Sequence, residues 1–265
     1  MEGSAYKHRT DRPATTTCPV TELHRSCYHK MKLSVATVAS LVLAFVAGTA
    51  GAVTFEVTNN ASTTPGGQRF DVEYGADYAR QVLSEAASFI WNVFNQTGAR
   101  EADRRPVDGG GAVTLVVVDD TDGGIASTSG SAIELSEGYV ARFTGDLKAE
   151  LTGVLYHEAT HVWQWGLQDY AAHWWVFEGV ADFVRLKAGY APAHWVAPGQ
   201  GRSWDGGYDV TARFLDYCDS VIKPGFVGEL NGKMKDSGYS DGYFVEILGK
   251  SVQDLWNDYK AKYGG

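Results

Sequence analysis

The stretch DLKAELTGVLYHEATHVWQWG, residues 146–166, decides how the chain is read. Its apolar residues recur at helical spacing as far as Trp165, and Gly166 supplies a stop, so one helix is predicted over 146–165. On a helical wheel Leu151, Val154, Leu155, Val162 and Trp165 fall within roughly 60° on either side of one direction. Glu158 lies near the centre of that stripe, and His157 and His161 share its flank. A lone carboxylate on a stripe bound for the interior costs roughly several kcal/mol or takes up a proton. Two imidazoles one turn apart, however, can aim at a single point about 2 Å from each nitrogen, the distance at which zinc is held. The glutamate then lies beside a cation rather than in hydrocarbon. His-Glu-x-x-His on a helix is the pattern in which that glutamate serves as a general base.

Two histidines do not make a catalytic zinc site, which takes three protein ligands and keeps one position open. HWWVFEGVADFVRLKAGY, 173–190, reads as a second helix and carries Glu178 and Asp182 four residues apart on one face. Those acids repel each other unless a cation or a donor lies between them. One assignment satisfies both. Glu178 is the third ligand, and Asp182 accepts the free ring N–H of a ligating histidine, which fixes its tautomer and raises its basicity.

The rest of the chain sets the frame. Its 265 residues, 44 % of them apolar, suffice for one sizeable domain. Met31-Lys32 is followed by the uncharged run LSVATVASLVLAFVAGTAGA, 33–52, ending in Ala50-Gly51-Ala52. This reads as a secretory signal removed after Ala52, with Met31 the expected initiator and residues 1–30 an upstream extension. A single mature domain over 53–265 follows. Six of the 23 Lys+Arg and three of the 32 Asp+Glu precede residue 53, so the mature part carries 17 against 29, a net charge of −12. Such a surface argues against nucleic acid or an anionic membrane as partner. Cys18 and Cys27 leave with the front segment, so Cys218 is the one remaining thiol and no internal disulfide forms. Asn60-Ala61-Ser62 and Asn95-Gln96-Thr97 are glycosylation sequons, consistent with export.

Along the mature part, VTFEVTNN (53–60) alternates as a strand and Pro65-Gly66-Gly67 reads as a turn. Residues 75–95 form a helix, 98–112 a Gly-rich loop, VTLVVVDD (113–120) a buried strand, and SAIELSEGYV (131–140) contains a short strand. Beyond residue 146 the pattern is helical, with further helices near 208–222, 225–235, 240–248 and 251–262. Strands first and helices after give an α+β fold: a small mixed sheet followed by a helical half that carries the metal site.

These residues resemble the gluzincin metallopeptidases, in which His-Glu-x-x-His is followed by Glu-x-x-x-Asp on a later helix. More closely, the chain resembles the plant basic secretory protein family through YHEATHVWQW (156–165), EGVADFVRLKAGYAPAHWV (178–196), GQGRSWDGGYDVTARFLDYC (199–218) and DLWNDYKAKYG (254–264). The resemblance implies a zinc-binding fold akin to a metallopeptidase catalytic domain and a defence role in the apoplast. Carried over, His157, His161 and Glu178 match the metal ligands, Glu158 the general base, and Asp182 the residue that supports a ligand. The acidic mature part departs from the family's name, and the gap between the two helices is short for a gluzincin.

A secreted zinc peptidase also needs a donor for the oxyanion formed in peptide hydrolysis. Tyr208, after the Gly-rich loop 197–207, is the first candidate, with His173 and His194 as alternatives. SAIEL (131–135), and Ile133 within it, is the candidate strand for pairing with substrate backbone. Trp204, in the Gly-rich loop, is the candidate for stacking on a sugar or an aromatic side chain, while the other Trp between 163 and 195 read as core. The expected partner is a peptide or protein substrate, and the expected state a monomer. The alternative is a non-catalytic, zinc-containing defence protein of the same fold that recognises a wall or microbial ligand. A glycosidase is disfavoured, because Glu178 and Asp182 on one helix flank no sugar bond and the histidine pair goes unexplained.

Overall fold

A computed structural model describes residues 53–108, 111–119 and 124–265; the expected export segment lies outside them. Four strands, β1 (Thr54–Asn59), β2 (Ala112–Val118), β3 (Ala126–Ser129) and β4 (Ala132–Ser136), form one sheet in the order β1-β2-β4-β3. β1 and β4 both run parallel to β2, and β3 closes the edge antiparallel to β4. Alternation does the burying: Val113, Leu115 and Val117 of β2 and Ile133 and Leu135 of β4 point into the core, as period-2 side chains on a half-covered sheet must.

Helices α1 (Pro65–Glu73) and α2 (Ala76–Val93) connect β1 to β2. α3 (Glu137–Arg142) follows β4 directly, and α4 (Leu147–Trp163), α5 (Tyr170–Lys187), α6 (Tyr208–Tyr217), α7 (Phe226–Ser237), α8 (Gly242–Leu248) and α9 (Val252–Tyr263) complete the helical half. The α+β architecture read from the sequence is therefore present, with strands early and helices late. No helix among the described residues is long and apolar enough to cross a membrane.

α4 is the axis of the molecule. Asp146 caps its start by accepting from the Ala149 N–H at 3.0 Å. The expected apolar stripe proves to be a fully enclosed cylinder, since every residue from Leu151 to Trp163 is buried. The reason is contact on several sides: α2, α5, β3 and β4 all pack against it. The ionisable groups of the motif are thus enclosed with it.

Three local expectations are corrected. Pro65-Gly66-Gly67 is not a turn but the first turn of α1, where Thr64 Oγ1 accepts from the Gly67 N–H at 3.1 Å. Glycine is required there by close approach: a Cβ on Gly66 would strike the Glu137 carbonyl, and one on Gly67 the Ala61 carbonyl. Next, β3 was not anticipated, because IASTSG carries no apolar alternation. Finally, β4, expected as the strand open to substrate, lies between β2 and β3, and Ile133 is fully buried. The edge strand beside it is β3.

Replacing Gly67 by alanine drives side chain against backbone, and neither side can yield. We expect Gly67→Ala to lower stability by about 2 kcal/mol, within the usual range for overpacking. The check is the urea midpoint at unchanged slope; a parental midpoint contradicts the packing described for α1.

Candidate metal and active site

His157 and His161 stand one turn apart on α4, and Glu178 and Asp182 one turn apart on α5, packed alongside. All four are buried. His157 Nδ1 is 2.7 Å from Asp182 Oδ1, and a carboxylate only accepts, so that nitrogen carries its proton. His161 Nδ1 is 2.8 Å from Gln164 Oε1. The Gln164 amide is oriented by its own N–H donation to the Phe177 carbonyl at 2.9 Å, which leaves its oxygen for His161. Both imidazoles therefore carry a proton on Nδ1 and turn Nε2 inward.

The inward atoms converge. His157 Nε2 is 3.1 Å from Glu178 Oε2 and 3.3 Å from His161 Nε2, and His161 Nε2 is 3.6 Å from Glu178 Oε1. One ligand atom from each of the three residues lies within 4.8 Å of the others. This donor set fits a divalent cation: two imidazole nitrogens and one carboxylate oxygen around a common point, each braced from behind. Tyr170 braces the third by donating to Glu178 Oε1 at 2.6 Å.

The electrostatics agree. Burial opposes a charge on His157, but its hydrogen bonds to Asp182 and Glu178 outweigh that and lift its pKa to about 10. Burial likewise pushes Glu178 up, and the His157 bond, the His161 and His157 charges and the Tyr170 bond override it, drawing it down to about 2. The pocket thus favours positive charge at its centre. His157 would hold a metal ion only after releasing its Nε2 proton, so uptake would be coupled to proton release.

Around this cluster opens a cleft of about 890 Å³, walled by β3, by the His157–His161 turn of α4, by α5, and by Pro192, His194, Trp195 and Tyr208. Glu158, also buried, shares that wall. Tyr208 is half-exposed, and its ring lies parallel to that of His157 with centroids 6.3 Å apart. Its backbone has φ = 43°, left-handed for a residue with a Cβ, immediately after Gly207 at φ = 76°. Such a conformation costs about 1–3 kcal/mol and persists only where the surroundings impose it. Here Trp174 packs on the Tyr208 ring and covers Gly207 so closely that a Cβ there would enter the indole. Burial, with the carboxylates of Glu178, Asp182 and Glu158, raises the Tyr208 pKa, so the phenol keeps its proton.

Other expected residues fall elsewhere. Ile133 belongs to the core and not to the cleft. Trp204 packs against the core and does not line the cleft; Trp195 is the indole that does. His173 sits at a kink in α5 (φ −133°, ψ 35°), bonded to Asp169 at 2.6 Å and packed on Tyr239, away from the cleft, whereas His194 lines it. Asn60 and Asn95 are both exposed. Cys218 is buried, and burial raises its thiol pKa. Gln164, Tyr170, Thr128 and the Glu150–Arg185 pair were not foreseen. Gln164 was within reach, since it follows His161 by three residues and caps the end of α4. The others come together only in the fold.

Glu150, half-buried, and Arg185, buried, line the cleft as an ion pair at 2.9 Å. Tyr139 donates to the second oxygen of Glu150 at 2.8 Å, and the Tyr190 carbonyl accepts from Arg185 Nε at 3.0 Å. Gly153 makes room, since a Cβ there would come within 2.7 Å of Arg185 Nε.

The chain was compared with known proteins. A family model described as peptidase of plants and bacteria matches residues 50–259. A curated relative, the basic secretory protease of Boswellia serrata, is 46 % identical over 61 residues, which cover 23 % of this chain and 67 % of that protein. No solved structure matches the chain.

Removing Glu150 strands the buried guanidinium of Arg185. Glu150→Ala is expected to cost about 3 kcal/mol, at the low end for such pairs because Arg185 keeps the Tyr190 carbonyl. Thermal unfolding measures it, and a variant as stable as the parent shows that the pair gives no net stabilisation.

Proposed function

The chain belongs to the family of peptidases of plants and bacteria, and on that premise we propose that it is a zinc-dependent, gluzincin-type peptidase. The observation that carries the reading is the convergence of His157, His161 and Glu178 in one buried cluster on a cleft wall, with Glu158 next to it. Two nitrogens and one oxygen from protein, with the remaining side toward the cleft, suit a catalytic zinc better than a closed structural one. When bound, the cation supplies Lewis-acid polarisation and an acidified water.

The chain's own residues do the rest. Asp182 and Gln164 hold the two imidazoles in the tautomer that presents Nε2, and Tyr170 holds Glu178. Glu158 takes the proton of the attacking water and returns it to the leaving amine. Tyr208, protonated and facing the cleft, donates to the oxygen on which negative charge develops. The free edge of β3 offers backbone groups to an extended peptide. His194, on the same wall, is the alternative donor.

Export and action in plant defence outside the cell complete the reading. The uncharged run 33–52 and the exposed sequons support it, as does the name of the Boswellia serrata relative, a secretory protease. The acidic balance of this chain sets it apart from the basic character in that name.

Metal content and cleavage of a mixed peptide library, measured on the same samples, test the proposal. His161→Ala is expected to lose both zinc and cleavage. Glu158→Gln should keep zinc while kcat falls by about 10²–10⁴. Metal retained with no cleavage by the parent protein would instead favour the non-catalytic binding alternative. Tyr208→Phe keeps zinc and KM and loses on the order of 10²-fold in kcat; parental turnover transfers the donor role to His194. Asp182→Asn is expected to weaken zinc affinity about 10–100-fold by removing the acceptor charge behind His157, read by competition with a chelator.

A further inference from the structure

Thr128 has no part in the reading above, yet its hydroxyl makes a short hydrogen bond to Glu158. It is the third residue of β3, where Ala126 and Thr128 are half-buried and Ser127 and Ser129 exposed. That alternation turns Thr128 toward α4. Its Oγ1 lies 2.6 Å from Glu158 Oε2 and 3.1 Å from the Glu158 carbonyl oxygen. The first distance belongs to the short class of about 2.5–2.7 Å for a hydroxyl donating to an ionised carboxylate.

A hydroxyl has one proton and two lone pairs, so it donates to one of these oxygens at a time. Facing the ionised carboxylate, it donates to Oε2. The bond occupies Oε2 alone, so a proton taken up on the other carboxyl oxygen leaves it in place. Thr128 thus keeps a partner in either state, and the side chain of Glu158 need not move between them.

We propose that Thr128 is a positioning residue: from the edge strand, its hydroxyl pins one carboxylate oxygen of Glu158 and leaves the other to meet the reacting water and the leaving amine. The inference rests on the peptidase reading. Its physical basis is that a carboxylate turns easily about its last bond, a broad two-fold torsion with no steep well of its own. In a cleft wall, one short bond decides where the second oxygen points. Because Thr128 belongs to the free edge strand, a peptide paired with that strand and the base that serves it take their positions from the same four residues.

The test is a set of full-length, zinc-loaded variants. Thr128→Val keeps the shape and removes the hydroxyl; Thr128→Ser keeps the hydroxyl. The expected result is a kcat lowered about 10–100-fold in Thr128→Val, as for a small misplacement of a reacting group. KM and zinc content stay unchanged, and turnover returns to within a few-fold in Thr128→Ser. A double-mutant cycle with Glu158→Gln, read from melting temperatures, is expected to be non-additive, because the two side chains share one bond. Parental turnover in Thr128→Val overturns the proposal and leaves the peptidase reading standing. So does a loss that serine does not rescue, or an additive cycle. A parent protein that binds zinc and cleaves nothing overturns the peptidase reading, and this role with it.

Discussion

His157 donates its Nδ1–H to Asp182 across 2.7 Å, and His161 donates its own to Gln164 across 2.8 Å. A neutral imidazole has a single N–H and a single lone pair, so the nitrogen that is tied down decides where the lone pair points. These two bonds turn both Nε2 atoms, the positions a metal would take, toward Glu178. Without them, each ring has two tautomers and two faces, and the chance that both nitrogens meet at one point is small. The helix spacing brings the rings near each other; the bonds behind them make them a site.

Enclosure gives those bonds their strength. α4 is covered on several sides by α2, α5, β3 and β4, so its polar residues have little water to fall back on. In such surroundings an unmade hydrogen bond is expensive, and a network must be satisfied or it destabilises. The cluster meets that demand with Asp182, Gln164 and Tyr170. Further along the cleft, Glu150, Arg185 and Tyr139 meet it again. The same chain segment therefore serves as the centre of the core and as the wall of the cleft, which is why this protein carries its ionisable groups inside.

Much of this was legible beforehand, and the reasons for the gaps are physical. His157, Glu158 and His161 lie on one helix, and helical geometry turns sequence spacing directly into spatial neighbourhood. Glu178 and Asp182 were readable for the same reason on the second helix. What joins the helices was not: Tyr170 reaches Glu178 around a kink at His173, and no periodicity announces a kink. β3 escaped because a short edge strand of Ala, Ser and Thr has too little apolar alternation to distinguish it from a loop. Ile133 was read correctly as strand and wrongly as edge, since strand order is set by packing of remote segments. Trp204 packs against the core, which aromatic residues in a glycine-rich stretch fit as well as they fit a ligand.

Tyr208 begins α6 with a backbone that a glycine would occupy at no cost. The phenol stands in the cleft only because Trp174 and the preceding glycine force that geometry. On the proposed role of the phenol, thermal robustness and chemistry pull in opposite directions at this one position. A lineage drifting toward a tougher fold would gain by shedding the ring, and with it the hydroxyl over the cleft; a lineage that retains the ring does so at the expense of its melting point.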